Sequence, residues 1–228
     1  MFFKDILFPK FCLGCGFIGS YICLNCQKKL SYLKKDSCFY CKRASYAGFT
    51  HPACKKEFGI DGFIAVFHYS DLLKKIIKNI KYRMAKEILE ELFQLMNYQT
   101  IEKLRFYKKL NNELFLQPIP LHPIRLRERG FNQSENIAEF LQKIFLLSEV
   151  NILVRTKNTF PQAQIKLGQK RYLNIKGAFK LSDEKLHPEK QILLVDDVVT
   201  TGSTVKEAAR VLKKNGSEKV YVFALAKG

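Results

Sequence analysis

Ile192-Leu193-Leu194-Val195-Asp196-Asp197-Val198-Val199-Thr200-Thr201-Gly202-Ser203-Thr204 decides how this chain is read. The apolar run at 192–195 reads as a buried strand, the Thr/Gly/Ser cluster as a turn, and residues 205–214 carry helical periodicity. A helix N-terminus leaves its first N–H groups without partners and concentrates partial positive charge, which suits a phosphate. Thr200, Thr201, Ser203 and Thr204 add hydroxyl donors, and Gly202 lets the backbone approach an anion with no Cβ in the way. Asp196 and Asp197 stand as acceptors at the strand's end, where open α/β sheets bind ligands. A sugar bearing both a phosphate and vicinal hydroxyls satisfies both halves. The bland alternative is a strand running into a capped helix, with both Asp solvated; a cap needs one hydroxyl, and this loop carries four. In this loop no Gly-Lys-Ser/Thr follows and the glycine pattern is not GxGxxG, so it is neither a Walker-type nor a dinucleotide loop.

At 228 residues the chain holds one α/β domain of about 150–170 residues plus a small appended module, divided here as 1–58 and 59–228. Strands are expected at 63–69, 113–120, 151–155, 177–181, 191–196 and 219–225. After Ser70, the stripe Leu72, Leu73, Ile76, Ile77 and Ile80 marks a helix whose outer face carries Lys74, Lys75, Lys78 and Lys81. Further helices are expected at 86–97, 100–110 and 134–147. The alternation describes an α/β fold, a mostly parallel twisted sheet with helices on its faces. Between strand and helix, Arg125, Arg127 and Arg129 fall within five positions. Alternate arginines do not share one helix face, so 124–134 reads as a loop wrapping an anion, a merely basic surface loop being the alternative. Residues 156–176 lack apolar periodicity but carry Lys157, Lys166, Lys170 and Arg171, the pattern of a mobile loop that closes over a bound phosphate.

The amino-terminal quarter is a different material. Cys12/Cys15, Cys23/Cys26 and Cys38/Cys41 are three CxxC pairs, and His51-Pro-Ala-Cys54 completes a fourth x₂-spaced pair. Two intervening residues let a tight turn place both ligands on one tetrahedral ion, so eight ligands imply two structural Zn²⁺ sites in a zinc-ribbon-like module. The simplest, sequential pairing gives Cys12/Cys15/Cys23/Cys26 and Cys38/Cys41/His51/Cys54; an interleaved pairing is also open, because sequence alone does not pair the knuckles. Disulfides fit poorly with an odd cysteine count and no export signal.

The formal charge is +18, with +7 in residues 1–58 and +11 in the rest. Such an excess attracts polyanions, nucleic acid first among them, the alternative being a Lys-rich composition of no binding consequence. Basic residues interleaved with Tyr21, Tyr32, Phe39 and Tyr40 in the module suit phosphates and stacked bases, or form its core. No run of about 18 apolar residues spans a bilayer and the start lacks a signal-peptide cleavage site, so a cytoplasmic location is expected.

The 195–204 stretch resembles the 5-phosphoribosyl pyrophosphate (PRPP) signature of type I phosphoribosyltransferases. The resemblance implies that Val199, Thr200, Thr201, Gly202, Ser203 and Thr204 hold the 5′-phosphate. It also implies that Asp196 and Asp197, the catalytic pair, accept from the ribose hydroxyls, and that Mg²⁺ enters with PRPP. Together with Leu7-Phe8-Pro9, Pro120-Leu121-His122-Pro123 and Arg127-Glu128-Arg129-Gly130-Phe131-Asn132-Gln133, the chain resembles the ComF family over nearly its whole length. His51 stands where relatives usually have a further cysteine. Family resemblance places the pyrophosphate near Leu121 and His122, with Arg125, Arg127 and Arg129 as supports. It implies a role in natural transformation, on the cytoplasmic side of single-stranded DNA uptake, peripheral to inner-membrane machinery through partners. Two activities follow: transfer of the phosphoribosyl group to an unidentified acceptor, or PRPP-responsive nucleic-acid binding without chemistry.

Overall fold

Strands that are apolar on both faces belong inside a parallel sheet covered on each side by helices. The computed structural model describes residues 9–80, 85–110, 113–159, 173–182 and 191–228. Its strands are β1 (Gly62–His68), β2 (Leu114–Pro118), β3 (Ser148–Glu149), β4 (Leu153–Arg155), β5 (Phe179–Leu181), β6 (Gln191–Val199) and β7 (Lys219–Lys227). Its α-helices are α1 (Leu24–Gln27), α2 (Asp71–Ile80), α3 (Ala85–Gln94), α4 (Tyr98–Leu110), α5 (Pro123–Arg129), α6 (Gln133–Phe145) and α7 (Ser203–Lys214).

Five strands form one parallel sheet in the order β1-β7-β6-β2-β3. Period-two alternation splits each central strand between two cores. Leu193 and Val195 of β6, with Tyr221, Phe223 and Leu225 of β7, join α2, α4 and α6 on one face. Ile192 and Leu194, with Val220, Val222 and Ala224, meet Val205, Ala208, Ala209 and Leu212 of α7 on the other. The connection from β2 through α6 leads outward to β3, whereas that from β6 through α7 returns to β7 on the opposite side. The switch point therefore lies between β2 and β6. Their pairing stops at Pro118↔Val195 while β6 runs on to Val199, which leaves an open crevice at the carboxyl ends.

Two expectations are corrected. Residues 124–134 are not an open loop: Pro123–Arg129 is a helix, started by Pro123 at its first turn and stopped by Gly130 at φ +79°. The expected strands at 151–155 and 177–181 stand outside the main sheet as the antiparallel pair β4–β5. The Gln117 Oε1 accepts from the amides of Ile152 (2.9 Å) and Leu153 (3.2 Å), a side-chain bond taking the place of a sheet ladder at β2. Most of the expected closing loop, with Lys166, Lys170 and Arg171, and likewise Lys81, Leu7 and Phe8, lies outside the described residues.

The cysteine-rich segment covers the sheet's edge. Ser31 O accepts from His68 N (2.8 Å), Leu33 N donates to Val66 O (3.0 Å), and Phe49 bridges Gly62, so β1 has no bare edge along these residues. Cys12, Tyr21, Ile22, Cys23, Cys26 and Leu30 share one apolar cluster with Phe67, Ile76 and Ile80.

Candidate functional site

The strand β6 delivers two consecutive carboxylates to the crevice because its partner β2 has already ended. Asp196 Oδ1 accepts from Asp197 N (2.9 Å) and Asp197 Oδ1 from Val198 N (2.7 Å), local bonds that fix both side chains beyond the ladder. Burial pushes the Asp196 carboxyl well above its ordinary value and the Asp197 charge adds to this, while the Asp197 amide and the Arg155 guanidinium oppose it. The loop then turns through Thr200 and Thr201 into Gly202, the N-cap of α7, at φ +73° and ψ 14°. The cap position is Gly202 rather than a Ser or Thr, contrary to the bland alternative, and Thr201 Oγ1 accepts from Ser203 N at 3.5 Å. Thr201 Oγ1 and Ser203 Oγ lie 3.0 Å apart. Among the described residues the amides of Gly202 and Thr204 have no protein acceptor. An anion seated there completes them.

A cleft of about 350 Å³ opens beside this loop, with Asp196, Asp197 and Val199–Thr204 on one wall. Arg125 and Arg129, one helical turn apart on α5, and Leu121 form another wall. Arg127 is exposed outside the cleft. His122 is also outside it: its Nδ1 accepts from Ile124 N (3.3 Å), capping α5. Arg125 Nε donates to Asn158 Oδ1 (3.4 Å) and its Nη2 to Thr159 O, tying α5 to the hairpin.

Sequence reasoning missed Arg155 and gave no individual site role to Asn132, Gln133 and Ser134, all of which line the cleft. Arg155 projects from β4 over the Phe179 ring (5.6 Å), and its Nη2 donates to Thr159 Oγ1 (2.5 Å). Burial and the Arg125 charge bring it down to about 10, with Asp196 opposing and Arg129 adding. Its Nε and the Gln133 Nε2 are buried without a partner. Two orphan donors, three converging guanidiniums and a cleft make an acceptor-rich anionic ligand the natural complement. Asn132 caps α6, accepting from Ser134 N (3.1 Å) and donating to Ile119 O (3.0 Å), which holds the cleft floor. An Asn before a helical run signals that cap; nothing local marks Arg155.

The cysteines assemble into two groups, Cys12/Cys15/Cys23/Cys26 and Cys38/Cys41/His51/Cys54, each with donor atoms within 4.8 Å of one another. This is the sequential pairing. A tetrahedral zinc with bonds of about 2.3 Å to sulfur needs ligands about 3.8 Å apart; Cys15 and Cys23 Sγ stand 3.5 Å apart. His51 Nδ1 lies 3.3 Å from Cys41 Sγ while its Nε2 lies 3.0 Å from Ala44 O. The carbonyl takes the Nε2 proton and leaves Nδ1 as a ligand lone pair. Four sulfurs so close repel one another as thiolates unless a cation sits among them. Both groups could hold zinc.

A glycine-capped helix start beside a carboxylate pair, at the switch point of a parallel sheet, is the layout of a phosphoribosyltransferase-like domain, and residues 119–228 match the family model for the phosphoribosyl transferase domain. Competence protein F of Haemophilus influenzae is 30% identical over 210 residues, covering 90% of each chain. DNA utilization protein YhgH of Escherichia coli is 31% identical over 72% of this chain and 71% of its own. Competence protein ComFC of Streptococcus pneumoniae is 24% identical over 91% of this chain and 88% of its own. The chain belongs to the ComF family. Among the described residues no helix is long and apolar enough to cross a membrane.

Proposed function

We propose that the cleft binds PRPP with its Mg²⁺ and that the protein handles single-stranded DNA on the cytoplasmic side during natural transformation. The observation that carries the reading is the convergence of the α7 N-terminus at Gly202, the Asp196–Asp197 pair and the Arg125/Arg129/Arg155 cluster on one cleft. These suit a 5′-phosphate, a ribose diol and a pyrophosphate respectively. Mg²⁺ bound through substrate oxygens and one carboxylate would offset pyrophosphate charge. The relatives named for competence and DNA utilization, and the charge of +18, support the DNA role.

If transfer occurs, an acceptor's lone pair forms a bond to C1 of the ribose as the C1–O bond breaks and its electron pair leaves on pyrophosphate. The arginines then stabilise the leaving group. A second reading, PRPP-responsive binding without transfer, is favoured by the remaining wall. Among the described residues it offers Tyr69, Lys74, Ile77 and Ile119, with no His, Asp or Glu to serve an acceptor as general base. Titration calorimetry with Mg-PRPP tests the common core: the parent binds, and Asp196→Asn/Asp197→Asn binds at least about tenfold more weakly. A silent parent ends both readings, and pyrophosphate release with an acceptor present retires the second.

A further inference from the structure

The second cysteine knuckle and the phosphate loop meet at one side chain. Phe39, next to Cys38 in sequence, is 3% exposed. A Cβ built on Gly202 would lie 2.4 Å from its Cζ, so the left-handed glycine that shapes the loop rests directly on this ring. On its other sides the ring meets Phe63 of β1 edge-on at 5.6 Å and Tyr40 at 5.3 Å. The ammonium groups of Lys42 and Lys206 lie 4.9 and 5.4 Å from the ring centroid. Lys42 belongs to the knuckle turn, at φ +63°, and donates to Phe39 O at 2.7 Å. Lys206 belongs to α7, its Nζ 3.5 Å from Thr201 O. One ring is thus held by the knuckle on one side and supports the loop on the other. The bonds from Cys38 N to Arg43 O (2.9 Å) and Lys42 N to Cys38 O (3.0 Å) close the turn that carries it.

We propose that Phe39 is a positioning residue coupling ion occupancy at Cys38/Cys41/His51/Cys54 to the shape of the phosphate loop, so that an ion in the knuckle and a phosphorylated ligand in the cleft favour each other. Without an ion the knuckle turn loses its cross-link, and the ring loses its fixed seat against Gly202. The loop's unpartnered amides then no longer converge on one point. Linkage makes the effect reciprocal: whatever the ion does for ligand affinity, the ligand does for ion retention. Only the ligand half rests on the PRPP reading.

Two arms test the coupling on the full chain with zinc bound. In the first, hydrogen exchange is followed for residues 199–206 in the parent, Phe39→Ala, Phe39→Leu and His51→Ala, with zinc content measured in each. Phe39→Ala, retaining its zinc, exchanges about tenfold faster in that peptide, and the bulky Leu variant stays within about twofold of the parent. His51→Ala, which leaves the ring intact but weakens the ion's hold, also speeds exchange there and decides the matter if Phe39→Ala does not fold. Unchanged exchange in His51→Ala overturns the proposal. In the second arm, saturating Mg-PRPP slows zinc release from the parent to a chromogenic chelator by about tenfold. Equal release rates with PRPP demonstrably bound overturn it too. If calorimetry shows that the parent binds no PRPP, the sugar-phosphate reading fails by itself and the exchange arm alone decides the coupling.

Discussion

Asp196 is held in a place that costs stability and suits a ligand. Its folded-state pKa is raised, first by burial and then by Asp197, above the ordinary 3.8. The folded state therefore takes up the proton before the unfolded chain does. Stability is full below the unfolded value and declines as pH rises through the raised one. Asp196→Asn removes that penalty, so at neutral pH it should melt higher than the parent. The gain should vanish below about pH 4, where both states of the parent are protonated. The same variant should bind Mg-PRPP roughly ten- to a hundredfold more weakly, by loss of a charge-assisted bond. Thermal melts at both pH values check the first half, and a neutral-pH loss of stability would show that the carboxylate is paired rather than merely buried. The carboxylates and hydroxyls were legible because strand, turn and helix lie within thirteen consecutive residues. Arg155 and Gln133 were not, because each becomes part of the site only through long-range docking: Arg155 by the hairpin that Gln117 attaches to β2, Gln133 by the packing of α6 beneath the cleft.

At the scale of elements, α5 changes how three arginines are read. On a helix, positions 125 and 129 share a face and 127 does not; accordingly Arg125 and Arg129 line the cleft while Arg127 faces solvent. Arg125→Gln should weaken Mg-PRPP binding about tenfold or more, whereas Arg127→Gln should leave it within about twofold. Equal losses from both, measured by calorimetry, would favour a rearranged loop over this helix. The helix itself was obscure in the sequence because seven residues carry no apolar stripe. Its end signals, Pro123 at the first turn and Gly130 past the last, outweigh the alternation of charge. Long amphipathic helices such as α2, with Leu73, Ile76, Ile77 and Ile80 buried, were readable because burial imposes the 3.6 period directly. Membership of β4 and β5 in a separate pair was not readable, since a strand's apolar pattern says that it is buried but not which neighbour it has.

Across the whole molecule, the cysteine-rich segment supplies both the hydrogen-bonding neighbour of β1 and part of the core under it. Deleting residues 1–58 therefore bares a strand edge together with Phe63 and Phe67. Such a truncation should aggregate rather than report on nucleic-acid binding, and zinc chelation should broaden or lower the single melting transition of the full chain instead of leaving 59–228 unaffected. The proposed nucleic-acid binding is better tested by charge reversal at exposed lysines, which preserves the fold. Two faces compete: Lys74, Lys75 and Lys78 on α2, the first of which also lines the cleft, and Lys28, Lys29, Lys34 and Lys35 on the module. Each phosphate contact to a single strand contributes about 0.7 to the slope of log affinity against log salt. If α2 carries the strand past the cleft, Lys75→Glu/Lys78→Glu should flatten that slope by about 1.4 and weaken binding at low salt, while reversal of Lys28 and Lys29 leaves the slope as it was. The opposite result moves the strand onto the zinc module. An unchanged slope in both variants would mean that the charge of +18 is diffuse and makes no localised path for nucleic acid on either face.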